Sequence, residues 1–194
     1  MVDNTPEPTI LSFTATLISK NRDDALREFI VAFYVEDSSF SVMEKVIPNS
    51  GFPGGKFLQR TKSINPETNE PYQPDEVNIG SDITLGGWRF HLKSASEGTL
   101  KTMEAKSDIF TRSDLSNVIL SVSDKLKPHV DDLKTAFARK DKTHRGRVKQ
   151  ADVGDILDEF DVHLGEQEMI TLFRRFQFAD SDMFEYNDFL ATIK

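Results

Sequence analysis

Apolar residues follow two different spacings along this chain, and the change of spacing near residue 109 constrains its fold more than any other feature. Between residues 9 and 94 apolar and polar residues alternate, as in the segments TILSFTATLI and REFIVAFYV. Alternation of this kind is typical of β-strands that bury one face. After Ile109 apolar residues instead recur every three or four positions, as on the buried face of a helix. The sequence therefore predicts an α+β chain with a boundary near residues 105–113.

The alternating half predicts six or seven short antiparallel strands, separated by turns rich in Asn, Gly, Pro and Asp. In REFIVAFYV both alternate sets of residues are apolar, so this strand is expected to be covered on both faces. A short helix is predicted over EGTLKTMEA, residues 97–105. Strands closed by such a helix would form either a small barrel or two orthogonal sheets.

The stretch GFPGGK, residues 51–56, invites comparison with a phosphate-binding loop. Gly51 lies five residues before Lys56 rather than six, and Phe57 stands where Ser or Thr would coordinate magnesium. The stretch therefore does not predict nucleotide binding. Gly54 and Gly55 are instead expected to adopt positive φ in a tight connection, which glycine does without steric cost. The alternative interpretation is a loop that contacts a peptide or a partner protein.

The second half predicts helices that each carry one apolar stripe. Thr111 and Asp114 are spaced as a capping box at the start of the first helix, and Pro128 suits the first turn of the next. The predicted stripes are Leu115, Val118, Ile119 and Val122; Val130, Leu133 and Phe137; Val153, Ile156, Leu157 and Phe160; Met169, Leu172, Phe173 and Phe176; and Phe189, Leu190 and Ile193.

Two twelve-residue segments share the frame of an EF-hand loop, DKTHRGRVKQAD at residues 141–152 and QFADSDMFEYND at residues 177–188. The first has glycine at its sixth position, where such a loop turns sharply. The loops begin 36 residues apart, and apolar residues lie eight and four positions before each of them. These matches predict a paired EF-hand fold, with an unrelated helical bundle as the alternative. In a paired fold the eighth residues, Val148 and Phe184, would form a short β-bridge.

Neither loop keeps the oxygen ligands that calcium requires. The first loop carries two acids against four bases, whereas the second carries four acids and no base, out of phase with the ligand positions. Asp182 also replaces the turn glycine in the second loop. No metal is therefore expected at the degenerate ligand positions, which are Asp141, Thr143, Arg145 and Asp152 in the first loop and Gln177, Ala179, Ser181 and Asp188 in the second. We hypothesise that the opposite charges of the two loops hold the pair closed without metal.

The net charge of −8 disfavours a nucleic acid as the main partner. Basic residues are nevertheless concentrated between Lys134 and Lys149, where seven of them stand against a single acid, Asp141. This stretch is interpreted either as a solvated surface or as a docking patch for an acidic partner. The candidate partner contacts are Lys142, Arg145, Arg147 and Lys149.

Several protein classes are disfavoured by what the sequence lacks. There is no cysteine, which excludes disulfides and thiolate sites. No apolar run approaches the roughly 20 residues of a membrane span, and the start, MVDNTPEPT, lacks the features of a signal peptide. The four histidines are scattered, and His91 is expected to point outward from a strand, so neither catalytic nor cofactor-binding residues are expected. Trp88 is expected in the core or at a barrel rim, with a ligand platform as the alternative.

Three segments, REFIVAFYVEDSSFSVME, NSGFPGGKFLQR and PETNEPYQPDEVNIGSDITLGGWRFHL, give residues 8–106 a specific resemblance to the DM10 (DM-ten) domain. A DM10 domain, a linker with a connecting helix at 107–128 and an EF-hand pair at 129–194 are together similar to the EF-hand-containing ribbon proteins of cilia and flagella, the myoclonin family. The resemblance implies a pleckstrin-homology-like β-barrel with a capping helix, followed by an all-α domain. Larger family members carry three DM10 domains, so this chain is expected to be a short paralogue or a fragment.

The resemblance also implies a function. The chain is expected to be a non-enzymatic structural component of the axoneme, a microtubule inner protein bound to tubulin inside doublet microtubules, with other axonemal proteins as further partners. The alternative is a calcium-responsive EF-hand regulator or adaptor associated with the axoneme. The expected location is the cytoplasm, in the cytoskeleton of a cilium or flagellum, with no cofactor, no nucleic acid and no membrane involved.

Overall fold

The computed structural model describes residues 9–193. The chain separates into two compact units, Met1–Phe110 and Thr111–Lys194. Residues 1–8 and residue 194 lie outside the described residues. They include the acidic start of the sequence, the first residue of the predicted domain 8–106 and the last residue of the predicted domain 129–194. The division into these two domains and a 107–128 linker stays a prediction.

One antiparallel sheet of six strands forms the frame of the first unit. Its strands are β1 (Ile10–Leu17), β2 (Phe29–Tyr34), β3 (Ser39–Glu44), β4 (Gly55–Lys62), β5 (Asp82–Leu85) and β6 (Trp88–Ala95). In space they follow the order β4-β3-β2-β1-β6-β5, so β4 and β5 are the two edges. The sheet is an antiparallel half-barrel, and among the described strands no ladder joins β4 to β5.

Side chains bring the two ends of the half-barrel together where hydrogen bonds do not. The ring of Phe57 in β4 meets Trp88 at the start of β6 edge to face, with centroids 5.4 Å apart. A Cβ added at Gly86, in the β5–β6 turn, would lie 3.1 Å from a Leu58 methyl group in β4. The first residues of β4 are therefore in direct contact with the β5–β6 hairpin.

The alternation predicted the buried face of the sheet correctly. In β1 the residues Leu11, Phe13, Ala15 and Leu17 are all buried, and in β2 the same holds for Phe29, Val31 and Phe33. The expectation that β2 is covered on both faces is wrong. Its outward residues, Ile30, Ala32 and Tyr34, are only half-buried, because the aromatic core lies on one side of the sheet.

Helix α1 (Glu97–Ala105) follows β6 and has the predicted bounds. Its N-cap is Ser96, whose hydroxyl accepts a hydrogen bond from the Thr99 backbone at 3.2 Å. Thr99 is tied to β1 in turn, because its hydroxyl accepts a hydrogen bond from the backbone N–H of Ser12 at 2.8 Å. Met103 is fully buried in the core. The helix therefore packs on the inner side of β1.

The second unit contains five helices and a two-stranded ladder among its described residues. They are α2 (Leu115–Leu126), α3 (Val130–Lys140), β7 (Arg147–Lys149), α4 (Gln150–Asp158), α5 (Glu166–Phe176), β8 (Met183–Glu185) and α6 (Tyr186–Thr192). The predicted stripes form one core, and most of their residues are fully buried. Helices α3 and α4 flank the first loop, and α5 and α6 flank the second.

The start of α2 differs from the prediction. Thr111 and Asp114 do not form a capping box, because residues Thr111–Ser113 make a short 3-10 turn. Asp114 itself is the N-cap, and its carboxylate accepts hydrogen bonds from the backbone of Ser116 at 2.8 Å and Asn117 at 3.4 Å. Pro128 lies in the 3-10 turn Lys127–His129 that leads into α3.

Candidate functional site

The two loops of the second unit lie side by side. Strands β7 and β8 pair antiparallel, with Val148 opposite Phe184. This pairing confirms the bridge predicted between the eighth residues of the two loops. The contact extends beyond the ladder, since the backbone N–H of Tyr186 donates to the Gly146 carbonyl at 3.1 Å. Each loop is thus supported by the backbone of the other.

Gly146 occupies the sharp turn of the first loop. Its φ is 77°, a conformation that side chains other than glycine rarely adopt, so the predicted turn is confirmed. A Cβ at this position would also overlap the side-chain amide of Asn187 in the second loop. Glycine is therefore required both by the backbone conformation and by the close approach of the neighbouring loop.

The carboxylate of Asp141, at the first position of the first loop, is surrounded by protein donors. The residue is 2% exposed. One oxygen, Oδ1, accepts from the backbone N–H and the hydroxyl of Thr143, at 3.1 and 3.0 Å. The other, Oδ2, accepts from the backbone of Gly146 at 2.7 Å, the backbone of Arg147 at 3.3 Å and the hydroxyl of Tyr186 at 3.2 Å. Five donors therefore occupy the lone pairs that would otherwise face a cation.

These hydrogen bonds keep Asp141 ionised despite its burial. Burial by itself raises its pKa, but the donors from Gly146, Thr143 and Tyr186 outweigh burial and lower the pKa to about 2. The pKa of Tyr186 moves upward, because of its own burial and its bond to the carboxylate. At neutral pH the pair therefore consists of a carboxylate and a neutral phenol, and the protein stabilises the negative charge.

The remaining ligand positions of the first loop are also engaged or turned away. Asp152, at the twelfth position, accepts from the ammonium group of Lys140 at 3.1 Å. Thr143 is used by Asp141, as described above. The side chain of Arg145 is exposed to solvent. The first loop thus presents no free cluster of oxygens.

The second loop closes on itself in a different way. The side-chain amide of Gln177, at the first position, donates to the Ser181 carbonyl at 2.6 Å. The Ser181 hydroxyl donates to the Phe178 carbonyl at 2.6 Å. The left-handed turn lies at Ala179, with φ 49°, rather than at Asp182. Asp188, at the twelfth position, is exposed. An amide nitrogen therefore stands where a calcium loop would place an acid.

Arg147 connects the two loops. Its Nε lies 3.0 Å from Oε1 of Glu185, and both side chains are partly buried. Its guanidinium also lies 3.2 Å from the centre of the Phe178 ring. This ion pair is the one contact among the described residues in which a base of the first loop meets an acid of the second. It agrees with the hypothesis that opposite charges hold the loops together.

The other three candidate partner contacts are directed to solvent. Lys142, Arg145 and Lys149 are exposed, and within residues 9–193 none of them forms an ion pair. We call these three residues the basic patch. Beside it is a depression of about 620 Å³, whose lining includes Lys142, Lys149, Arg139 and Lys140. A base-rich surface is therefore free to meet an acidic partner, whereas Arg147 is occupied within the unit.

Helix α2 covers the apolar side of the helix–loop–helix segments. Val118, Val122 and Leu126 are buried in the same core as the residues of α3 to α6. The ammonium group of Lys125 donates to the carbonyl of Asp161, in the connection between α4 and α5, at 2.5 Å. A hydroxyl of α5, Thr171, reaches the carbonyl of Arg112 just before α2 at 3.2 Å. Helix α2 is therefore part of this unit's core.

Positions singled out in the first unit behave largely as expected. Gly54 and Gly55 have φ of 67° and 98°, which confirms their positive values. His91 lies between the buried residues Phe90 and Leu92 and points outward, where it contacts Asp82 at 2.7 Å. Trp88 lies at the rim of the half-barrel and not in its core.

Groups of metal-binding side chains and helices long enough to span a membrane were both considered over the described residues. Over residues 9–193, no three or more histidine or acidic side chains are grouped so that they could hold a metal ion. None of the helices in that range combines the length and the apolar character that crossing a bilayer demands.

The sequence did not reveal the residues that fill the first loop. Tyr186 is 45 positions from Asp141, and Glu185 is 38 positions from Arg147. The one sequence signal for these contacts is the matching frame of the two loops. It places Glu185 and Tyr186, positions 9 and 10 of the second loop, directly after the bridge at the eighth position. Frame matching predicts which strands pair but not which side chains reach across the pair.

Comparison with known proteins gives the family. Residues 2–99 match the DM10 domain. The chain is 31% identical over 175 residues to EF-hand domain-containing family member C2 of Bos taurus, covering 86% of this chain and 24% of that protein. It is 32% identical over 176 residues to family member C2 of Mus musculus, covering 87% and 23%. It is 29% identical over 188 residues to EF-hand domain-containing protein 1 of Mus musculus, covering 92% and 28%.

The chain thus spans about a quarter of the length of the curated relatives that it matches. The match to the DM10 domain covers the sheet of the first unit and most of the segment that carries the quoted motifs. The relatives' names include the EF-hand, which is the fold that the two loop frames predict for this chain. This chain belongs to the family of proteins that carry a DM10 domain, and it is similar to the EF-hand domain-containing family member C2 and protein 1.

Proposed function

We propose that this chain is a non-enzymatic structural component of the axoneme of cilia or flagella, a microtubule inner protein bound to tubulin in doublet microtubules. The resemblance to the ribbon proteins of cilia and flagella supports this location in the cytoskeleton. The proposal includes a pleckstrin-homology-like fold for the first unit and a paired EF-hand fold for the second. The observation that carries the structural role is the five-donor environment of the Asp141 carboxylate.

The paired EF-hand assignment is supported by the arrangement of the second unit. Two helix–loop–helix segments lie next to each other, with Val148 and Phe184 paired at the eighth positions. Gly146 turns the first loop at its sixth position. The names of the relatives are consistent with this fold, since each includes the EF-hand.

A permanent module is favoured over a calcium switch. In sensor EF-hands, calcium binding opens the helices and exposes an apolar groove for a partner. Here protein donors occupy Asp141, and Lys140 occupies Asp152. The apolar stripe of α2 already packs against the core of the helices. The second unit is therefore closed by its own side chains, and α2 occupies the apolar side of its helices.

Attachment to tubulin is proposed through the basic patch, Lys142, Arg145 and Lys149. Tubulin is acidic, and the patch carries three exposed cations without intramolecular ion pairs in the described chain. The net charge of −8 opposes any diffuse attraction to an acidic lattice. Binding must therefore be local, through a surface of the opposite sign.

Extraction from axonemes tests the proposal. A tagged chain should stay with membrane-stripped axonemes, and reversing the patch (Lys142→Glu, Arg145→Glu and Lys149→Glu together) should release it at lower salt. Arg147 is left unchanged, because its reversal would break the internal pair with Glu185. The matched control reverses three exposed lysines elsewhere, Lys62, Lys93 and Lys127. If both triple variants are released at the same salt concentration, the basic patch is not the contact.

A calcium-responsive regulator or adaptor is the second candidate. It is favoured by three exposed carboxylates in the second loop, Asp180, Asp182 and Asp188. Calcium titration followed by calorimetry and NMR separates the two functions. Micromolar binding with shifts throughout the second unit, or calcium-dependent release from axonemes, would replace the structural role by this one.

A further inference from the structure

Exposed apolar side chains are concentrated at one end of the half-barrel in the first unit. Val46 is 72% exposed, Leu26 60% and Trp88 46%, and Ile18 is exposed as well. Single apolar residues are common on protein surfaces, but a contiguous group of them marks an interaction site. Residues that merely close the half-barrel would not need to expose so much of their surface.

Strand register places these residues at the same end. Strand β1 ends at Leu17, which lies opposite Phe90 of β6. Ile18 directly follows Leu17, and Trp88, the first residue of β6, precedes Phe90 by two positions. Strand β2 begins with Phe29 opposite Glu44, which is the last residue of β3. Leu26 precedes Phe29 by three residues, and Val46 follows Glu44 by two, so both lie at this end of the sheet.

Contacts connect several segments at this end of the sheet. The backbone N–H of Ile18 donates to the carbonyl of Arg89, next to Trp88, at 2.8 Å. Trp88 meets the Phe57 ring, and a Cβ at Gly54 would lie 2.8 Å from a Val46 methyl group. We call this surface the aromatic end, and it consists of Ile18, Leu26, Val46, Phe52, Phe57 and Trp88.

Arg27, whose side chain is largely buried, packs against two rings of the aromatic end. Arg27 binds Glu44 through two hydrogen bonds, of 2.7 and 3.1 Å, and Asp24 through one of 2.9 Å. Its guanidinium lies 4.3 Å from the centre of the Phe52 ring and 5.3 Å from that of Phe57. The two phenylalanines are therefore placed before any partner arrives, which lowers the entropy cost of binding.

The charges around the aromatic end favour an acidic partner. Lys20, Arg22 and Lys56 are exposed there, and no ion pair involves them in the described part of the chain. One exposed acid, Asp23, lies among them. This local excess of bases contrasts with the net charge of −8 of the whole chain. Unpaired cations around an apolar centre fit an acidic protein surface that carries apolar side chains.

We propose that the aromatic end is a second docking surface, separate from the basic patch, for an acidic protein surface, which is the tubulin lattice if the proposed function holds. The inference therefore rests on that function. An anionic membrane fits less well, because a bilayer offers no fixed shape to the rings that Arg27 contacts, whereas a protein surface can match them. Contact through Leu26, Val46 and Trp88 would remain when salt screens the charges of the basic patch.

Co-sedimentation with microtubules tests the proposal, with the full chain present during tubulin assembly so that it can reach the inner surface before the microtubules are washed. At about 0.5 M salt, where surface charges are screened, Leu26→Ser with Val46→Ser should weaken binding about tenfold, because two anchoring side chains are lost. The matched control is Ile64→Ser with Leu120→Ser, two side chains that are 51% and 63% exposed outside the aromatic end. The control should bind like the parent. Urea unfolding of both variants verifies that they are folded.

The possible results separate the inference from the proposed function. If Leu26→Ser with Val46→Ser sediments like the parent and the control, the inference is wrong while tubulin binding stands. If the parent itself stays in the supernatant at low salt, both fail. Vesicles containing phosphatidylserine serve as a second probe. Flotation of the parent with these vesicles, lost in the Leu26→Ser, Val46→Ser variant, would assign the surface to a membrane and overturn the proposal.

Discussion

The two loops of the second unit depart from a calcium-binding loop in opposite ways. The first keeps an acid at its first position and surrounds it with protein donors, so that Asp141 receives five hydrogen bonds. The second removes that acid, and Gln177 donates to the Ser181 carbonyl instead. One loop supplies donors to a carboxylate, and the other replaces the carboxylate by a donor.

The two loops therefore differ in how strongly their stability depends on individual hydrogen bonds. A buried carboxylate is stable only while all its donors are present, since an unpaired buried charge is costly. A neutral amide that bonds to one carbonyl is less demanding. We therefore expect substitutions in the first loop to have larger effects than equivalent substitutions in the second.

The largest effect is expected for Asp141→Ala. This change leaves the buried N–H of Gly146 and the hydroxyl of Tyr186 without their acceptor, and should lower the free energy of unfolding of the second unit by about 3 kcal/mol. Urea unfolding followed by far-UV circular dichroism, to which the helices of this unit contribute most, measures it. Asp180→Ala, at an exposed acid, is the control. A loss equal to that of the control would show that the hydrogen bonds do not stabilise the loop.

Acid should reveal the same interaction with a somewhat smaller effect. The pKa of Asp141 is about 2 in the folded chain and 3.8 in its reference state, so ionised Asp141 stabilises the fold above pH 4. That contribution, about 2 kcal/mol, is lost as pH falls from about 4 through 2. Comparing the parent with Asp141→Asn across this range isolates it. Parallel pH profiles for the two proteins would contradict the assignment.

A smaller effect is expected in the second loop. Gln177→Ala removes the bond to the Ser181 carbonyl and should cost about 1 kcal/mol, because the carbonyl is only partly buried and water can replace the amide. The same urea experiment measures it, with Asp182→Ala as an exposed control. A loss as large as that of Asp141→Ala would remove the distinction between the loops.

The smallest effect is expected for the ion pair between the loops. A double-mutant cycle with Arg147→Met and Glu185→Gln should give a coupling energy of about 0.5 kcal/mol that decreases with salt, because the pair is partly exposed. This cycle tests the hypothesis that opposite loop charges hold the pair closed. Zero coupling would leave the β7–β8 ladder and the apolar core as the forces that join the loops.

Features repeated at a regular spacing were predictable from the sequence. Alternation predicted the buried face of β1, and three- and four-residue spacing predicted the core residues of the helices. Glycines predicted positive φ at Gly54, Gly55 and Gly146. The matching loop frames predicted that Val148 pairs with Phe184. Each of these depends on the local backbone, which neighbouring residues largely determine.

Predictions that needed distant residues were less successful. The half-barrel does not close through hydrogen bonds among the described strands, although the strand pattern was compatible with a closed barrel. Arg147 binds Glu185 and Phe178 within the unit, and its place in the basic stretch of the sequence does not indicate these contacts. A charge is visible in a sequence, but its exposure depends on the elements packed around it.

The sequence by itself determined the two spacings, and with them an α+β chain, the residues of both cores and two loops that lack calcium ligands. The tertiary structure alone decided which side chains fill the two loops. Tyr186 reaches Asp141, and Lys140 reaches Asp152, because helices and the β7–β8 ladder hold these side chains at hydrogen-bonding distance. The physical reason is that local patterns set backbone conformation, whereas the pairing of a buried charge depends on atoms that only folding brings together.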